Sequence, residues 1–206
     1  MSATVEASQQ ALSDMSPAAL NEWFDKRFAE NIRELDANKT RKLSIMVTKG
    51  TLDWAYPPFI MAATAAAMDW EVTLFFTFYG LALLKKDLKP TISPLGNPAM
   101  PMKLPFGPQW FQNIEWNMPN LVMAGIPGFE SVATSLMKQT LKNKGVAPIE
   151  DLRQACIESG VKLVACQMTV DLFGWKQDEF IPEIADWAGA ATYLTSAQDA
   201  DITLYV

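Results

Sequence analysis

Two short apolar runs on either side of an alanine-rich segment constrain the fold of this chain most. Residues 42–50 (KLSIMVTKG) predict a first strand that ends at a glycine, and residues 54–68 predict a helix. Residues 71–78 (EVTLFFTF) are rich in aromatic and β-branched side chains, and they predict a second strand that is buried on both faces. A strand, a helix and a strand in succession indicate a parallel pair joined by a right-handed crossover.

The alternation of helices and strands returns in the C-terminal half of the chain. The predicted elements are two helices over 127–145 and 148–160, a strand over 161–166, a weaker strand near 183–188, a helix near 189–198, and a terminal strand over 201–206. This pattern predicts an α/β fold. If the strands follow the flavodoxin-like order 2-1-3-4-5, strands one and three flank the point where ligands bind.

The N-terminal 40 residues have a different character from the rest of the chain. Residues 1–15 are expected to be disordered, and Ser16 and Pro17 provide the cap and the first position of a helix. Its apolar side can fold back on its own domain or reach a neighbouring subunit. We therefore divide the chain into a tail with an appended helix, 1–40, and an α/β domain, 41–206. The apolar side of the helix consists of Leu20, Trp23, Phe24, Phe28, Ile32 and Leu35.

A proline-rich and aromatic-rich insertion interrupts the α/β domain at about 89–127. Its prolines exclude long regular elements, while its aromatic side chains argue against simple disorder. Segments much longer than about 15 residues inside a compact domain are commonly functional. The insertion is therefore interpreted as a lid, an interface or a membrane contact.

Composition narrows the class of partner and the location. The chain has 17 Lys and Arg against 23 Asp and Glu, a balance that argues against binding to nucleic acid. Asp69 and Glu71 divide the apolar stretch 54–84 into pieces shorter than the roughly 20 residues of a spanning helix, so membrane association is possible but not favoured. The N-terminus lacks the basic and apolar regions of a secretory signal, and a cytoplasmic location is expected.

Sulfur is the main candidate for chemistry, because the chain has no histidine and only two cysteines, Cys156 and Cys166. This set cannot form a four-ligand zinc site, and we expect neither a metal nor a cofactor. Cys166 ends the predicted strand 161–166, at the edge where loops and helix N-termini meet. A helix beginning at 168 would lower the pKa of this thiol. The alternative is that Cys166 is only a small apolar residue at a strand end.

Other candidate residues lie at the ends of the first two predicted strands. Thr48 and Lys49 follow strand one, and Tyr79 follows strand two. In the order 2-1-3-4-5, Lys49 would lie beside Cys166 and stabilise its anion. The alternative is that Lys49 is a solvated loop residue.

Cys156 lies on the apolar stripe of the helix that precedes strand three. Helical spacing directs it toward the sheet, which is typical of a structural core cysteine, and a secondary role in the chemistry stays open. The different heights and layers of the two cysteines place their Cα atoms beyond the roughly 7 Å that a disulfide allows. We therefore expect Cys166 to act alone.

Several strings of the sequence resemble the DsrE/DsrF-like sulfurtransferases, in the longer branch with a proline-rich insertion. They are MVTKGTLDWAYPPFIMAATAAAMDWEVTLFFTFYG, GNPAMPMK, GIPGFESVATSLMK and ACQMTVDLFGW, and the similarity covers about residues 40–206. The most specific motif runs from Cys166 to Gly174 and contains Asp171.

This resemblance implies a fold, an activity and partners. The fold would be a flavodoxin-like, open and mainly parallel sheet of about five strands with helices on both faces, assembled into homo-oligomers. Cys166 would carry sulfane sulfur as a persulfide, with a TusA-like sulfur carrier and a rhodanese-like donor as partners. In that site Lys49, Thr48, Tyr79 and Asp171 are the candidates for stabilising the anion.

Two alternatives to a sulfurtransferase remain at this point. The protein could be an interaction or membrane-associated subunit, in which the insertion and the N-terminal helix bind partners and the thiol is incidental. It could also bind a flavin or a nucleotide, but TKGTLDWAYPP lacks the density of glycine and hydroxyl residues that cradles phosphates.

Overall fold

The computed structural model describes residues 16–37, 39–93, 103, 105–115 and 125–206. The chain divides into one unit up to Thr40 and a second unit from Arg41 to Val206. The predicted disorder of residues 1–15 lies outside the described residues. So do 94–102, 104 and 116–124, which make up about half of the predicted insertion.

The first unit contains one long amphipathic helix, α1 (Pro17–Ala37). Ser16 caps it as predicted, because the Ser16 hydroxyl accepts a hydrogen bond from the Ala19 N–H at 3.3 Å. None of its residues is buried. The exposed apolar side chains of α1 are those that the sequence places on one side: Leu20, Trp23, Phe24, Phe28, Ile32 and Leu35.

The second unit is built around a five-stranded sheet in which every pair of neighbouring strands is parallel. The strands are β1 (Lys42–Val47), β2 (Glu71–Phe76), β3 (Lys162–Cys166), β4 (Asp186–Ala188) and β5 (Ile202–Tyr205). The α-helices are α2 (Leu52–Ala67), α3 (Gln109–Gln112), α4 (Phe129–Asn143), α5 (Ile149–Glu158), α6 (Gln167–Phe173) and α7 (Ala190–Gln198), and 3-10 helices cover Phe78–Leu84 and Gln177–Glu179. The predicted α/β fold is confirmed.

The strand order 2-1-3-4-5, on which the expected position of Lys49 depends, is not observed. The observed order is β4-β3-β2-β1-β5, so β2 lies between β1 and β3. The chain adds β2, β3 and β4 on one side of β1 and then returns to place β5 on the other side. The reversal of strand order therefore lies between β1 and β5, and not between the first and third strands.

Helices cover both faces of the sheet, and each face has its own apolar cluster. On the first face, Phe59 of α2 and Cys156 of α5 pack with Leu74 and Leu163 of the central strands. On the second face, Phe75 of β2 and Tyr193 of α7 stack with their ring centroids 4.8 Å apart. Side chains alternate along a strand, so neighbouring positions of β2 and β3 serve opposite faces.

The apolar stretch 54–84 forms the buried elements that the sequence predicts. It supplies most of α2, all of β2 and the following 3-10 helix, and β2 contributes Val72, Leu74 and Phe76 to one face and Phe75 to the other. Within the part of the chain that the structure describes, no helix combines the length and the apolar character needed to cross a membrane.

Candidate functional site

Cys166 lies where a buried strand passes directly into a helix. It is the last residue of β3 and the N-cap of α6, with an extended backbone (φ −75°, ψ 105°). Its side chain belongs to the second face of the sheet, in the cluster with Phe75 and Tyr193. Only 3% of the residue surface is exposed, so a reaction partner can reach the sulfur only if its surroundings open.

Hydroxyl and amide groups around Cys166 favour its thiolate. Burial raises the pKa of Cys166, but the nearby donor groups of Thr169 (hydroxyl and amide), Thr77 (hydroxyl) and Met168 (amide) lower it by more, and the net pKa lies below the ordinary value. The Cys166 side chain makes no capping hydrogen bond to the first turn of α6. We infer that these donors act mainly on the charged form, which accepts hydrogen bonds more strongly.

Two buried threonines define the polar side of this site. Thr169 of α6 is 1% exposed and Thr77, which follows β2, is 8% exposed. Their hydroxyl oxygens lie 3.3 Å apart, and the Phe78 N–H donates to the Thr169 hydroxyl oxygen at 3.3 Å. The ends of the neighbouring strands β2 and β3 thus meet through side-chain oxygens beside the sulfur.

The structure does not place Lys49 beside Cys166. Lys49 follows β1, two strands away from β3, which corresponds to about 10 Å between strand axes. Its ammonium nitrogen lies 3.1 Å from the centre of the Trp54 ring instead. Thr48 bonds to the C-terminal residue, since its amide and hydroxyl both donate to the Val206 carbonyl, at 2.8 and 2.9 Å. The expected pair of Lys49 and the Cys166 thiolate is therefore not formed, because β2 lies between β1 and β3.

Tyr79 and Asp171 lie nearer to the end of β3 but have other contacts. Tyr79 is 67% exposed and stacks on Phe173 of α6 with ring centroids 5.7 Å apart. The Asp171 carboxylate accepts a hydrogen bond from the Gln167 amide at 2.7 Å. Both side chains are exposed on the surface around α6.

Cys156 is separated from Cys166 by the sheet itself. Cys156 is fully buried in the cluster of the first face, whereas Cys166 belongs to the second face. Both cysteines are free, as predicted. The Cys156 thiol donates to the Phe59 carbonyl at 3.4 Å, and burial raises its pKa to about 11. Its environment is that of an inert core thiol.

The two threonines are the residues that sequence reasoning missed. Thr169 stands three residues after Cys166, which is the spacing between an N-cap and the N3 position that side chains bridge at helix starts. That spacing could have identified it once Cys166 was placed at a strand end. Thr77 could be placed at the same edge of the sheet, but its proximity to Cys166 depends on β2 being the neighbour of β3.

The arrangement is suited to a nucleophilic thiolate. A thiolate is the reactive form of cysteine, and donors that lower its pKa raise its population at neutral pH. Among the residues that the structure describes, no group of three or more Cys, Asp and Glu side chains could hold a metal ion.

The fold and site together define an α/β domain that carries a buried free thiol at the carboxyl end of a parallel strand. The sequence model of the DsrE/DsrF/DrsH-like family matches residues 39–205 of this chain. The chain therefore belongs to that family.

Two curated proteins and one solved structure show how the chain compares with individual relatives. It is 53% identical over 166 residues to a protein of Allochromatium vinosum named sulfur carrier protein DsrE2, covering 81% of this chain and 98% of that protein. It is 31% identical over 168 residues to the uncharacterized protein YrkE of Bacillus subtilis, covering 82% of this chain and 98% of YrkE. The crystal structure of the ychN protein from E. coli aligns with a TM-score of 0.48 at 10% identity, over 81% of this chain and all of that one.

Proposed function

We propose that this protein is a sulfur carrier that holds sulfane sulfur as a persulfide on Cys166 and passes it to an acceptor thiol. The observation that carries this proposal is the position of Cys166 at the end of β3, where hydroxyl and amide donors lower the pKa of its thiol. The name of the 53% identical relative, sulfur carrier protein DsrE2, supports the same role.

The proposed cycle has two thiol exchange steps. In loading, the Cys166 thiolate attacks the sulfane sulfur of a donor persulfide, the donor S–S bond breaks, and the donor leaves as a thiolate. In unloading, an acceptor thiolate attacks the outer sulfur of the Cys166 persulfide. The electron pair of the broken S–S bond returns to the Cys166 sulfur, and the proton stays on the transferred sulfur. Each step conserves the number of electrons, so neither an oxidant nor a cofactor is required.

The enclosure of Cys166 is compatible with a carrier. A persulfide that is shielded from solvent is protected from stray thiols, and a partner that opens the site would gain access to it. The exposed apolar side chains of Phe78, Met168 and Leu172, which lie next to Thr77 and on α6, offer a surface for such a partner.

The identity of the partners remains a prediction. The family resemblance points to a rhodanese-like donor, a TusA-like sulfur carrier and a homo-oligomeric assembly, and the N-terminal sequence points to the cytoplasm. These features follow from the resemblance and from the sequence, and each requires its own experiment.

Sulfur loading on the full-length protein tests the proposal. The wild type, Cys166→Ser and Cys156→Ala would be exposed to inorganic polysulfide, desalted and analysed by mass spectrometry of intact and digested protein. We expect the wild type and Cys156→Ala to gain sulfur on the peptide that contains Cys166, and Cys166→Ser to gain none. Equal addition to the wild type and Cys166→Ser, or no addition to Cys166, would refute the proposal.

A second candidate function is that of an interaction subunit, and α1 favours it. This helix exposes six large apolar side chains but carries three basic against five acidic residues. Helices that lie on anionic membranes are rich in Lys and Arg, so this charge balance favours a protein partner. Retention of the protein in a membrane fraction after a salt wash would instead support a membrane-associated subunit.

A further inference from the structure

We propose that Thr169 and Thr77 are positioning residues for the Cys166 sulfur, and that the Phe78 N–H orients the Thr169 hydroxyl so that a hydroxyl proton stays available to the thiolate. Thr169 lies three residues after Cys166, the N-cap of α6, and Thr77 follows Phe76, which pairs with Ala165, the residue before Cys166. This inference rests on the proposed sulfur-carrier function and adds the groups that hold the thiolate between transfers. It assigns to the two threonines a role in delivering sulfur rather than in packing.

The number of protons available to the threonine pair supports this assignment. The Thr169 oxygen accepts from the Phe78 N–H at 3.3 Å, which leaves the Thr169 hydroxyl proton for another acceptor. The Thr77 and Thr169 oxygens are 3.3 Å apart, so either hydroxyl can donate to the other. Whichever one donates, the second hydroxyl keeps a proton for the sulfur. When the sulfur is a thiolate, both hydroxyls can turn toward it.

The backbone around Phe78 is held in an unusual conformation that aims its N–H at Thr169. Phe78 has a positive φ of 46°, which is uncommon for a bulky residue and is often found at functional sites. The turn is fixed to the end of β1, because the Thr77 N–H donates to the Val47 carbonyl at 3.0 Å and the Gly80 N–H donates to the Thr48 carbonyl at 3.0 Å. The Phe78 side chain is 47% exposed, so burial of this side chain does not account for the positive φ.

A stabilised thiolate affects the two transfer steps in opposite directions. In unloading, the Cys166 sulfur is the leaving group, and a more stable thiolate leaves faster. In loading it is the nucleophile, and each thiolate reacts more slowly as its basicity falls. The threonine pair therefore favours release of sulfur to the acceptor.

The test compares Thr169→Val with the wild type and with Thr169→Ser, which restores the hydroxyl. Alkylation of Cys166 by iodoacetamide as a function of pH measures the thiolate without any sulfur. Loading from polysulfide at alkaline pH and unloading to dithiothreitol measure the two steps. For Thr169→Val we expect the pH midpoint of alkylation to rise, because the thiolate loses a hydrogen-bond donor. We expect unloading to slow by about threefold or more, because a tenfold loss of thiolate stability changes the rate of thiol exchange by about the square root of ten.

The loading rate at alkaline pH separates this role from a structural one. We expect it to be unchanged or faster in Thr169→Val, and Thr169→Ser to behave like the wild type in all three measurements. Thr64→Val is a matched control, because Thr64 is exposed and its hydroxyl bonds only the Ile60 carbonyl of its own helix among the described contacts. Should Thr169→Val fail to fold, Thr77→Val tests the second hydroxyl, with the same shifts expected.

Two outcomes would overturn the inference. The first is an alkylation midpoint and an unloading rate that do not change in a folded Thr→Val variant. The second is a parallel fall of loading and unloading, which indicates general damage to the site. Absence of sulfur loading in the wild type would refute the proposed function but leave the alkylation result to decide the role of the threonines.

Discussion

Gly80 lies so close to Val47 that there is no room for a side chain between them. A Cβ atom added at Gly80 would lie 2.2 Å from the Val47 carbonyl oxygen. This contact fixes the turn that follows β2 to the end of β1, and the same turn carries Thr77 and the Phe78 N–H. The geometry around Cys166 therefore depends on a glycine that does not touch the sulfur.

Gly80→Ala is expected to destabilise the fold and to disturb the thiol. Because the obstructing atom is backbone, the turn must move, at a cost of about 1–3 kcal/mol. The movement should weaken the Phe78–Thr169 hydrogen bond and shift the alkylation of Cys166 to higher pH. Gly189→Ala is the control, since an added Cβ there meets no atom within 4 Å and an alanine at this N-cap should cost less than about 1 kcal/mol. The prediction would be contradicted if Gly189→Ala shifted the alkylation of Cys166 to higher pH by as much as Gly80→Ala does.

Lys49→Met should leave the pH dependence of Cys166 alkylation unchanged. The Lys49 ammonium lies over Trp54 at the end of β1, and the thiolate of Cys166 is favoured by hydroxyl and amide groups. A cation that assisted the thiolate would produce a shift to higher pH when removed. Such a shift would show that Lys49 acts on Cys166 despite the strand order.

Cys156 should make the fold less stable in alkaline solution. Burial raises the pKa of Cys156 from 9.0 to about 11, so the folded protein keeps a proton that the unfolded chain releases. Stability is therefore complete below about pH 9 and falls as the pH rises to about 11. The loss at the upper end of this range is about 2–3 kcal/mol.

Denaturation of the wild type and Cys156→Ala at several pH values measures this effect. Cys156→Ala should be less stable at neutral pH because it loses a buried side chain, but the difference should narrow between pH 9 and pH 11. A difference that stays constant over this range would show that Cys156 does not titrate with unfolding.

Removal of the N-terminal segment should leave a folded, sulfur-loading domain. The family match begins at residue 39, and the alignments with the two curated relatives cover 98% of each of them. We expect a variant of residues 39–206 to differ from the full chain by less than about 4 °C in thermal midpoint, because the core cluster lies beyond residue 40. Loss of folding or of sulfur loading in this variant would assign α1 a role in the domain itself.

Local patterns were sufficient to predict most of the elements. β1 and β2 were expected over 42–50 and 71–78 and are observed over Lys42–Val47 and Glu71–Phe76, because the last residues of each predicted run belong to the turn that follows the strand. Cys166 was placed at the end of β3 because the apolar run VKLVAC stops there. Burial and strand propensity act over a few neighbouring residues, and the sequence displays them directly.

Pairing between strands was not predictable in the same way. Whether β3 pairs with β1 or β2 depends on the packing of α2 and α5 on one face of the sheet, far apart in the sequence. The assumed order placed Lys49 beside Cys166 and did not bring Thr77 to the strand next to β3. The interaction of Thr77 with Thr169 spans 92 positions, so it becomes visible only when the register of β2 and β3 is known.

Transfer of a single sulfur atom through Cys166 is the most direct test of the central claim. Full-length protein loaded with polysulfide would be desalted and mixed with an excess of a small thiol, and the sulfur on the Cys166 peptide and on the acceptor would be counted by mass spectrometry over time. We predict that one sulfur atom per chain leaves Cys166 and is recovered as acceptor persulfide plus the hydrogen sulfide that a second thiol releases from it, and that Cys166→Ser transfers none. Sulfur that reaches the acceptor at the same rate from Cys166→Ser, or that stays on Cys166 indefinitely, would contradict the role of this residue as a carrier.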